Sequence, residues 1–264
     1  MAIAIMTFTS GSLIEAFTET LSAACGTGSS ITFLHVPKCF GTAVAAHARR
    51  LFPDLHLDGG HRVLLEGTGP TAGALYISSI RHPALRLKSL VLHGMRDNRR
   101  NGFCAPDKFP RLSGFLRWPT AAGLRAYLAE EYWRASYAYW FRMFLGENPV
   151  GLLRERAARP GDTHPSAQEC QLLESWADRV SGNLALCLYD DPDFMNWLPA
   201  ANAAGQHTGV WLRLRMRRVS ALIDEVIADN PGVLRWEQAF YDRCVSLQRR
   251  RLEARSRPAL SPAA

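Results

Sequence analysis

The sequence predicts an α/β protein with a parallel sheet, because a short buried strand, a tight loop and a helix follow one another twice in its first hundred residues. The first unit is an apolar, β-branched run over residues 31–36, followed by a helical pattern over 43–52. The second is the run over 74–80, followed by a helical pattern over 84–95. Units of this kind place their strands in parallel and their loops at the carboxyl ends of those strands.

A long insertion separates these two units from the rest of the predicted sheet. Residues 96–175 are expected to form a loop and helical insertion, because they open with an irregular basic stretch and continue in an aromatic-rich helical pattern over 120–145. The remaining patterns predict a helix over 164–180, a strand over 184–189, and helices over 210–230 and 234–252.

The chain is long enough to bury a substantial core, and residues 1–264 are predicted to form one domain. Residues 1–30 are rich in Ser, Thr and Gly and are predicted to be a peripheral lead-in with room for one short helix. Residues 255–264 are predicted to be a flexible tail.

The composition narrows the function classes. The net charge is +7, from 31 lysines and arginines, nearly all arginine, against 24 acidic residues. Arginine suits phosphate, sulfate and carboxylate, so the charge indicates an anionic cofactor, an acidic polymer or nucleic acid, or simply a solvated basic surface. The six cysteines form no C-x-x-C pair, which argues against a zinc site and predicts reduced, mostly buried thiols.

No apolar stretch is long enough for a membrane span, and no basic segment precedes an apolar run at the start of the chain. The sequence therefore predicts a cytoplasmic protein without a membrane span.

The loop after the first strand carries residues suited to an anion. It reads HVPKCFGT over residues 35–42, with a helix predicted at once behind it. Backbone N–H groups at a helix N-terminus bind phosphate or sulfate, Lys38 adds a point charge, and Thr42 adds a hydroxyl donor. The loop is not a Walker A sequence, and an ordinary turn with one exposed lysine is the alternative.

The loop after the second strand reads RHPALRLKS over residues 81–89. Arg81 ends the strand, and Ser89 follows about two helical turns into the next helix. The serine approaches the same anion as Arg81 only if the loop folds back over the first half of the helix. Arg86 and Lys88 are expected to add charge, and a basic amphipathic helix with solvated charges is the alternative.

Together the two loops resemble the paired cofactor motifs of the sulfotransferases that depend on 3'-phosphoadenosine-5'-phosphosulfate (PAPS), in the branch that includes the Golgi carbohydrate and heparan-sulfate uronosyl enzymes. FLHVPKCFGT over residues 33–42 is similar to F-L-H-x-P-K-[TC]-G-G-T, and RHPALRLKS is similar to R-[DEH]-P-x-x-R-x-x-S. The resemblance covers residues 31–95 well and 180–250 loosely. It implies a P-loop-like three-layer sandwich, with a central parallel sheet flanked by helices.

The resemblance also implies the residues that bind the cofactor. Arg81 and Ser89 would hold the 3'-phosphate. The 5'-phosphosulfate would be held by the first loop, through the side chains of Lys38 and Thr42 and the backbone around them: Pro37, Lys38, Cys39, Phe40, Gly41 and Thr42.

Two residues are implied to be catalytic. The family often carries a Gly-His pair between the two motifs, and Gly60-His61 occupies that interval here. His61 would take the proton of the acceptor hydroxyl, and Lys38 would stabilise the charge that develops on the leaving phosphate. His56 and His35 are rivals for the base, and a surface histidine in a Gly-rich loop is the alternative for His61.

Phe40 departs from the family pattern, which has glycine there. If the position needs a positive φ, phenylalanine is strained, and a degenerate, non-catalytic member of the family becomes a real alternative.

The predicted function is therefore transfer of a sulfuryl group from PAPS to a hydroxyl of a carbohydrate or small-metabolite acceptor. The products are a sulfate ester and 3'-phosphoadenosine-5'-phosphate (PAP), and the scheme needs no metal. No nucleic-acid partner is expected, and the sequence leaves the acceptor and the oligomeric state open. The alternatives are a non-catalytic nucleotide- or RNA-binding module and a nucleotide-dependent phosphotransferase, which would need a Walker A loop and carboxylates for Mg²⁺.

Overall fold

The structure is a computed structural model that describes residues 12–27, 31–36, 38–60, 75–97, 109–132, 150–158, 166–180, 184–198 and 210–256. Its helices in chain order are α1 (Leu13–Thr27), α2 (Gly41–Leu51), α3 (Pro83–Asp97), α4 (Pro110–Arg117), α5 (Ala121–Tyr127), α6 (Val150–Ala157), α7 (Ala167–Val180), α8 (Phe194–Trp197), α9 (Val210–Asp229) and α10 (Arg235–Ser256). A π-helical turn (Leu128–Tyr132) follows α5, and a 3-10 turn (Pro231–Leu234) precedes α10.

The strands form a four-stranded sheet in the order β2-β1-β3-β4, and every neighbouring pair is parallel. They are β1 (Ile31–Leu34), β2 (Leu57–Gly60), β3 (Leu75–Ile80) and β4 (Leu184–Leu188). The chain leaves β1 for β2 on one side and then passes to β3 on the other side. The topological switch therefore lies between the carboxyl ends of β1 and β3, where open α/β sheets bind ligands. The protein is an α/β protein with a parallel sheet, as predicted.

Helices cover both faces of the sheet. Side chains alternate between the faces of a strand, so Phe33 and Ile77 point to one face while Leu34 and Ile80 point to the other. The first pair belongs to an apolar cluster with residues of α1, α2 and α8, and the second pair belongs to a cluster with residues of α10. Parallel sheets are stable when both faces are covered in this way.

A third apolar cluster lies among helices alone. Leu87 of α3, Phe115 of α4, Tyr127 of α5 and Val219 of α9 are all buried in it. Part of the predicted insertion is therefore a helical layer that packs on α3 and α9. The elements α4, α6, α8 and β2 were not predicted.

The N-terminal segment differs from the predicted peripheral lead-in. In α1, Phe17 and Leu21 have no exposed surface, and the helix packs against β4. The hydroxyls of Thr18 and Thr20 donate back to carbonyl oxygens one turn earlier in the same helix. Their polarity is therefore satisfied locally, so a Ser- and Thr-rich composition does not prevent this segment from being a core helix.

The other bounds agree with prediction to within a few residues, apart from the helix expected over 120–145. Regular structure there runs through α5 and the π-helical turn to Tyr132, and residues 133–149 lie outside the described segments. The last helix extends to Ser256, into the tail predicted to be flexible. None of the helices in the described segments is long and apolar enough to cross a membrane.

Candidate functional site

The loop between β1 and α2 turns through two left-handed residues, Lys38 with φ 68° and Phe40 with φ 61°. Phe40 is the residue immediately before α2. A left-handed conformation costs a residue with a side chain about 1–2 kcal/mol. The loop therefore needs a positive φ at position 40, where the resembling family has glycine, and phenylalanine is strained there.

Ring contacts oppose the strain at Phe40. Its ring is stacked on Tyr189, with centroids 4.9 Å apart and planes 8° from parallel. It also forms a T-shaped pair with Phe194, with centroids 5.9 Å apart. Tyr189 directly follows β4, and its N–H donates to the carbonyl of Ile80 at the end of β3. The stack thus ties the first loop to the carboxyl ends of two other strands, and each aromatic pair contributes about 0.5–1.5 kcal/mol.

The same rings support Arg81. Its guanidinium carbon lies 4.1 Å from the centroid of Tyr189 and 5.3 Å from that of Phe40. The Arg81 Nε is buried without a hydrogen-bond partner, and no carboxylate of the described segments forms an ion pair with this arginine. The aromatic faces hold the cation at the end of β3 but leave its charge unneutralised.

Gly41 is required by the close approach of a ring. A Cβ at this position would lie 2.2 Å from Cδ2 of His35, well inside van der Waals contact. The His35 ring is itself stacked on Phe33, with centroids 5.8 Å apart. His35 therefore packs the loop against the sheet, which counts against it as the base.

Cys39 contributes its backbone to the loop and not a reactive sulfur. Its side chain is fully buried, and burial raises the pKa of the thiol to about 12 although Arg86 and Arg81 oppose the rise. The thiol is neutral at physiological pH and is a poor nucleophile.

One predicted residue of the first motif and two of the second lie on one cleft. Lys38, Arg81 and Ser89 all line a cleft of about 420 Å³, together with other residues of α3 and one residue of α9: Leu85, Lys88, Leu92, His93 and Met216. Lys88 forms an ion pair with Asp224 at 2.5 Å. Ser89 lies inside α3 and borders the same cleft as Arg81.

Other predicted site residues lie apart from this cleft or outside the described segments. Thr42 is exposed in the first turn of α2 and does not line the cleft. Pro37 and His61 lie outside the described residues. Gly60 ends β2 and pairs in register with Leu34 at the carboxyl edge of the sheet.

His56 precedes β2, and its carbonyl accepts a hydrogen bond from the first residue of β1. It therefore lies at the amino edge of the sheet, opposite Lys38, and is a poor candidate for the base.

The prediction that Arg86 adds charge to the second loop is wrong. Its side chain is buried, and Nη1 donates to Glu237 Oε1 at 2.9 Å and to the hydroxyl of Tyr132 at 3.1 Å. That hydroxyl donates to the other oxygen of Glu237 at 2.8 Å. Arg86 is thus a neutralised core residue that joins α3 to α10.

Sequence reasoning missed Tyr189, although a signal for it existed. It ends the predicted strand over 184–189, and residues at the carboxyl ends of parallel strands gather at one edge. For Glu237 and Tyr132 no such signal exists, because they lie 151 and 46 residues from Arg86.

Comparisons with protein-family models, with curated proteins and with solved structures find no match for this chain. Within the described ranges, no three His, Cys, Asp or Glu side chains are grouped so that they could hold a metal ion.

Proposed function

We propose that this protein is a PAPS-dependent sulfotransferase with a P-loop-like three-layer sandwich, which transfers a sulfuryl group to a hydroxyl of a carbohydrate or small-metabolite acceptor. The observation that carries the proposal is the cleft lined by Lys38, Arg81 and Ser89. These residues come from two separate motifs that flank the switch point of the sheet. PAPS carries two separated anionic groups, and two loops at one sheet edge suit such a molecule.

The chemistry of the cleft fits an anion. Arg81 is a partly buried cation without a carboxylate partner, and such a group is stabilised when a ligand supplies the missing negative charge. The Ser89 hydroxyl is a donor on the same cleft. Helix α2 begins three residues after Lys38, and no side chain caps its first N–H groups, although Thr42 of its first turn does not line the cleft.

The residues divide the chemistry between them. PAPS, when bound, supplies the activated sulfuryl group. The acceptor oxygen forms a bond to sulfur as the bond from sulfur to the phosphate oxygen breaks, and His61 accepts the acceptor's proton. Lys38 stabilises the charge that develops on the departing phosphate. The products are a sulfate ester and PAP, and this scheme requires no metal.

The free cysteines of the described segments, which include the buried Cys39, Cys187 and Cys244, support a reducing compartment. We place the enzyme in the cytoplasm on this ground.

A second candidate, a non-catalytic nucleotide-binding module, is favoured by Phe40. Its left-handed backbone and stacked ring stand where the resembling family has glycine. Such a module would bind PAP through Arg81 and Ser89 and would transfer no sulfuryl group.

The first experiment compares thermal unfolding with PAP, with AMP and without ligand. A ligand at a hundred times its Kd stabilises the native state by about 2.7 kcal/mol, so PAP is expected to raise Tm by several degrees more than AMP, which lacks the 3'-phosphate. Arg81→Ala should abolish the difference. Arg249→Ala, an exposed arginine on α10, removes the same charge and should preserve it. Equal shifts with PAP and AMP would refute the proposal.

Turnover separates the two candidates. Wild type and His61→Ala are incubated with PAPS and a panel of glycans and small hydroxyl metabolites, and PAP release is measured. Acceptor-dependent release that His61→Ala abolishes supports the sulfotransferase. PAP binding without release on any acceptor favours the module, and near-normal turnover of His61→Ala removes His61 from the role of base.

A further inference from the structure

Helix α9 begins with an exposed apolar surface. The exposed fraction of Trp211 is 85%, that of Val210 is 61% and that of Leu214 is 50%, while Trp118 beyond α4 is 76% exposed. These four residues are called the tryptophan surface here. A contiguous patch of large exposed apolar side chains marks an interaction site, whereas single exposed apolar residues are common.

The four residues lie on two helix ends that are side by side. Nη2 of Arg215 donates to the carbonyl oxygens of Leu116 and Arg117, so the end of α4 lies beside the start of α9. Trp118 follows Arg117 directly, and Trp211 lies one helical turn before Arg215 on the same side of α9. Val210 and Leu214 are also one turn apart. The two tryptophans therefore flank the same contact between helices.

Exposed arginines surround the tryptophan surface. They are Arg117, Arg213, Arg217 and Arg218. No acidic residue occurs over residues 210–223 or 109–119, so the cations have no counter-charge from their own segments. An anionic partner is therefore favoured over a neutral one.

We propose that the tryptophan surface binds the interface of an anionic lipid bilayer. Tryptophan prefers the boundary between headgroups and acyl chains, arginines contact lipid phosphates, and Val210 and Leu214 gain from contact with the apolar layer. An acidic polysaccharide or a nucleic acid would meet the arginines but would leave these two aliphatic side chains in water. A symmetric contact with a second copy would bring the arginines against one another.

Binding of this kind leaves the cleft open. Met216 lines the cleft and lies two residues beyond Leu214, which is about 200° around the helix. The two side chains therefore point to opposite sides of α9. The inference does not rest on the proposed function, since it uses no residue that binds PAPS.

The test is sedimentation with vesicles of phosphatidylcholine alone or mixed with phosphatidylglycerol. Binding is expected to the mixed vesicles only. Trp211→Ser combined with Leu214→Ser should weaken it, and so should Arg213→Glu combined with Arg217→Glu, each by about tenfold or more. Arg249→Glu combined with Arg250→Glu is the matched control, because it changes two exposed arginines of α10 by the same charge, and it should alter binding by less than about threefold.

Depth of insertion is measured by quenching with brominated lipids. Wild-type fluorescence should be quenched, and Trp118→Phe combined with Trp211→Phe should remove most of the quenching while sedimentation persists, because phenylalanine keeps the apolar contact. Absence of binding to the mixed vesicles would overturn the proposal. So would equal loss in the two charge reversals, binding without quenching, or binding to heparin without binding to vesicles.

Discussion

The guanidinium carbon of Arg81 lies 4.1 Å from the centroid of the Tyr189 ring, and Phe40 is stacked on the same ring. Three segments distant in sequence, which follow β1, β3 and β4, are thereby joined at the carboxyl edge of the sheet. The rings orient the guanidinium without neutralising it, whereas a carboxylate in their place would have done both. Tyr189 is therefore a positioning residue for the cation of the cleft.

Replacing Tyr189 should weaken binding of the 3'-phosphate. A cation–π contact contributes about 0.5–2 kcal/mol, so Tyr189→Leu is expected to weaken PAP binding by about 2- to 30-fold in calorimetric titration. Tyr189→Phe keeps the ring and should bind PAP like the wild type. AMP binding should change much less in both variants. Equal PAP affinity in Tyr189→Leu and Tyr189→Phe would show that the ring does not position Arg81, whereas failure of the wild type to bind PAP would count against the function itself.

At position 40, glycine should give a more stable protein than alanine, which reverses the usual order. At most positions outside special turns alanine is at least as stable as glycine, but here φ is 61°, which glycine adopts without steric cost. Phe40→Gly and Phe40→Ala both lose the ring contacts, so their difference isolates the backbone. We expect Phe40→Gly to be the more stable by about 1 kcal/mol, measured by urea unfolding. A more stable Phe40→Ala would contradict the left-handed conformation.

The parts of the site that the sequence predicts are those fixed by local order along the chain. Lys38 and Arg81 end up on one cleft because each follows a short apolar strand, and parallel strands bring such residues to one edge. Ser89 lies on the same cleft because of its position in α3. For Phe40 the sequence predicted only that phenylalanine would be strained if the position, which is glycine in the resembling family, needed a positive φ.

The parts that escaped prediction depend on tertiary contacts. The LDGG sequence of β2 has little strand propensity and becomes a strand through its ladder with β1. The Ser- and Thr-rich composition of α1 conceals a buried face. The partners of Arg86, and Tyr189 beside Arg81, lie in distant segments of the chain, and no local sequence pattern connects them to these arginines.

Removal of one partner of the buried Arg86–Glu237 pair should lower stability much more than replacement of both partners by apolar residues. Removal of one partner strands a charge in the core, so Arg86→Ala is expected to lose about 3–5 kcal/mol of unfolding free energy. Arg86→Met combined with Glu237→Leu should recover much of that loss. The control is Lys88→Ala on the same helix, whose partner Asp224 is 60% exposed, and it should lose about 1 kcal/mol or less. Comparable losses for Arg86→Ala and Lys88→Ala in urea unfolding would show that burial of the pair does not matter.

A capping box at the start of α7 should make stability depend on pH through Glu169. The N–H of Glu169 donates to Ser166 Oγ at 3.2 Å, and the N–H of Ser166 donates back to the Glu169 carboxylate. Burial raises the pKa of Glu169 to about 7 from its ordinary value of 4.5, although the backbone hydrogen bond opposes the rise. The folded state therefore holds this proton more strongly than the unfolded state does. The resulting stabilisation is complete below pH 4.5 and is lost as the pH rises to 7.

Glu169→Gln keeps the hydrogen bonds of the box and removes the titration. Its Tm relative to wild type should therefore rise between pH 4.5 and 7, by about 2–4 °C for each kcal/mol of stabilisation that the wild type loses, and stay constant above pH 7. Ser166→Ala is the matched control: it removes the capping hydroxyl and should lower stability by about 1 kcal/mol at every pH while keeping the wild-type slope. Parallel pH profiles for wild type and Glu169→Gln would mean that Glu169 is ionised in the folded protein throughout this range. The carboxylate would then act in the box as a charged cap at the N-terminus of α7, where the helix dipole favours negative charge.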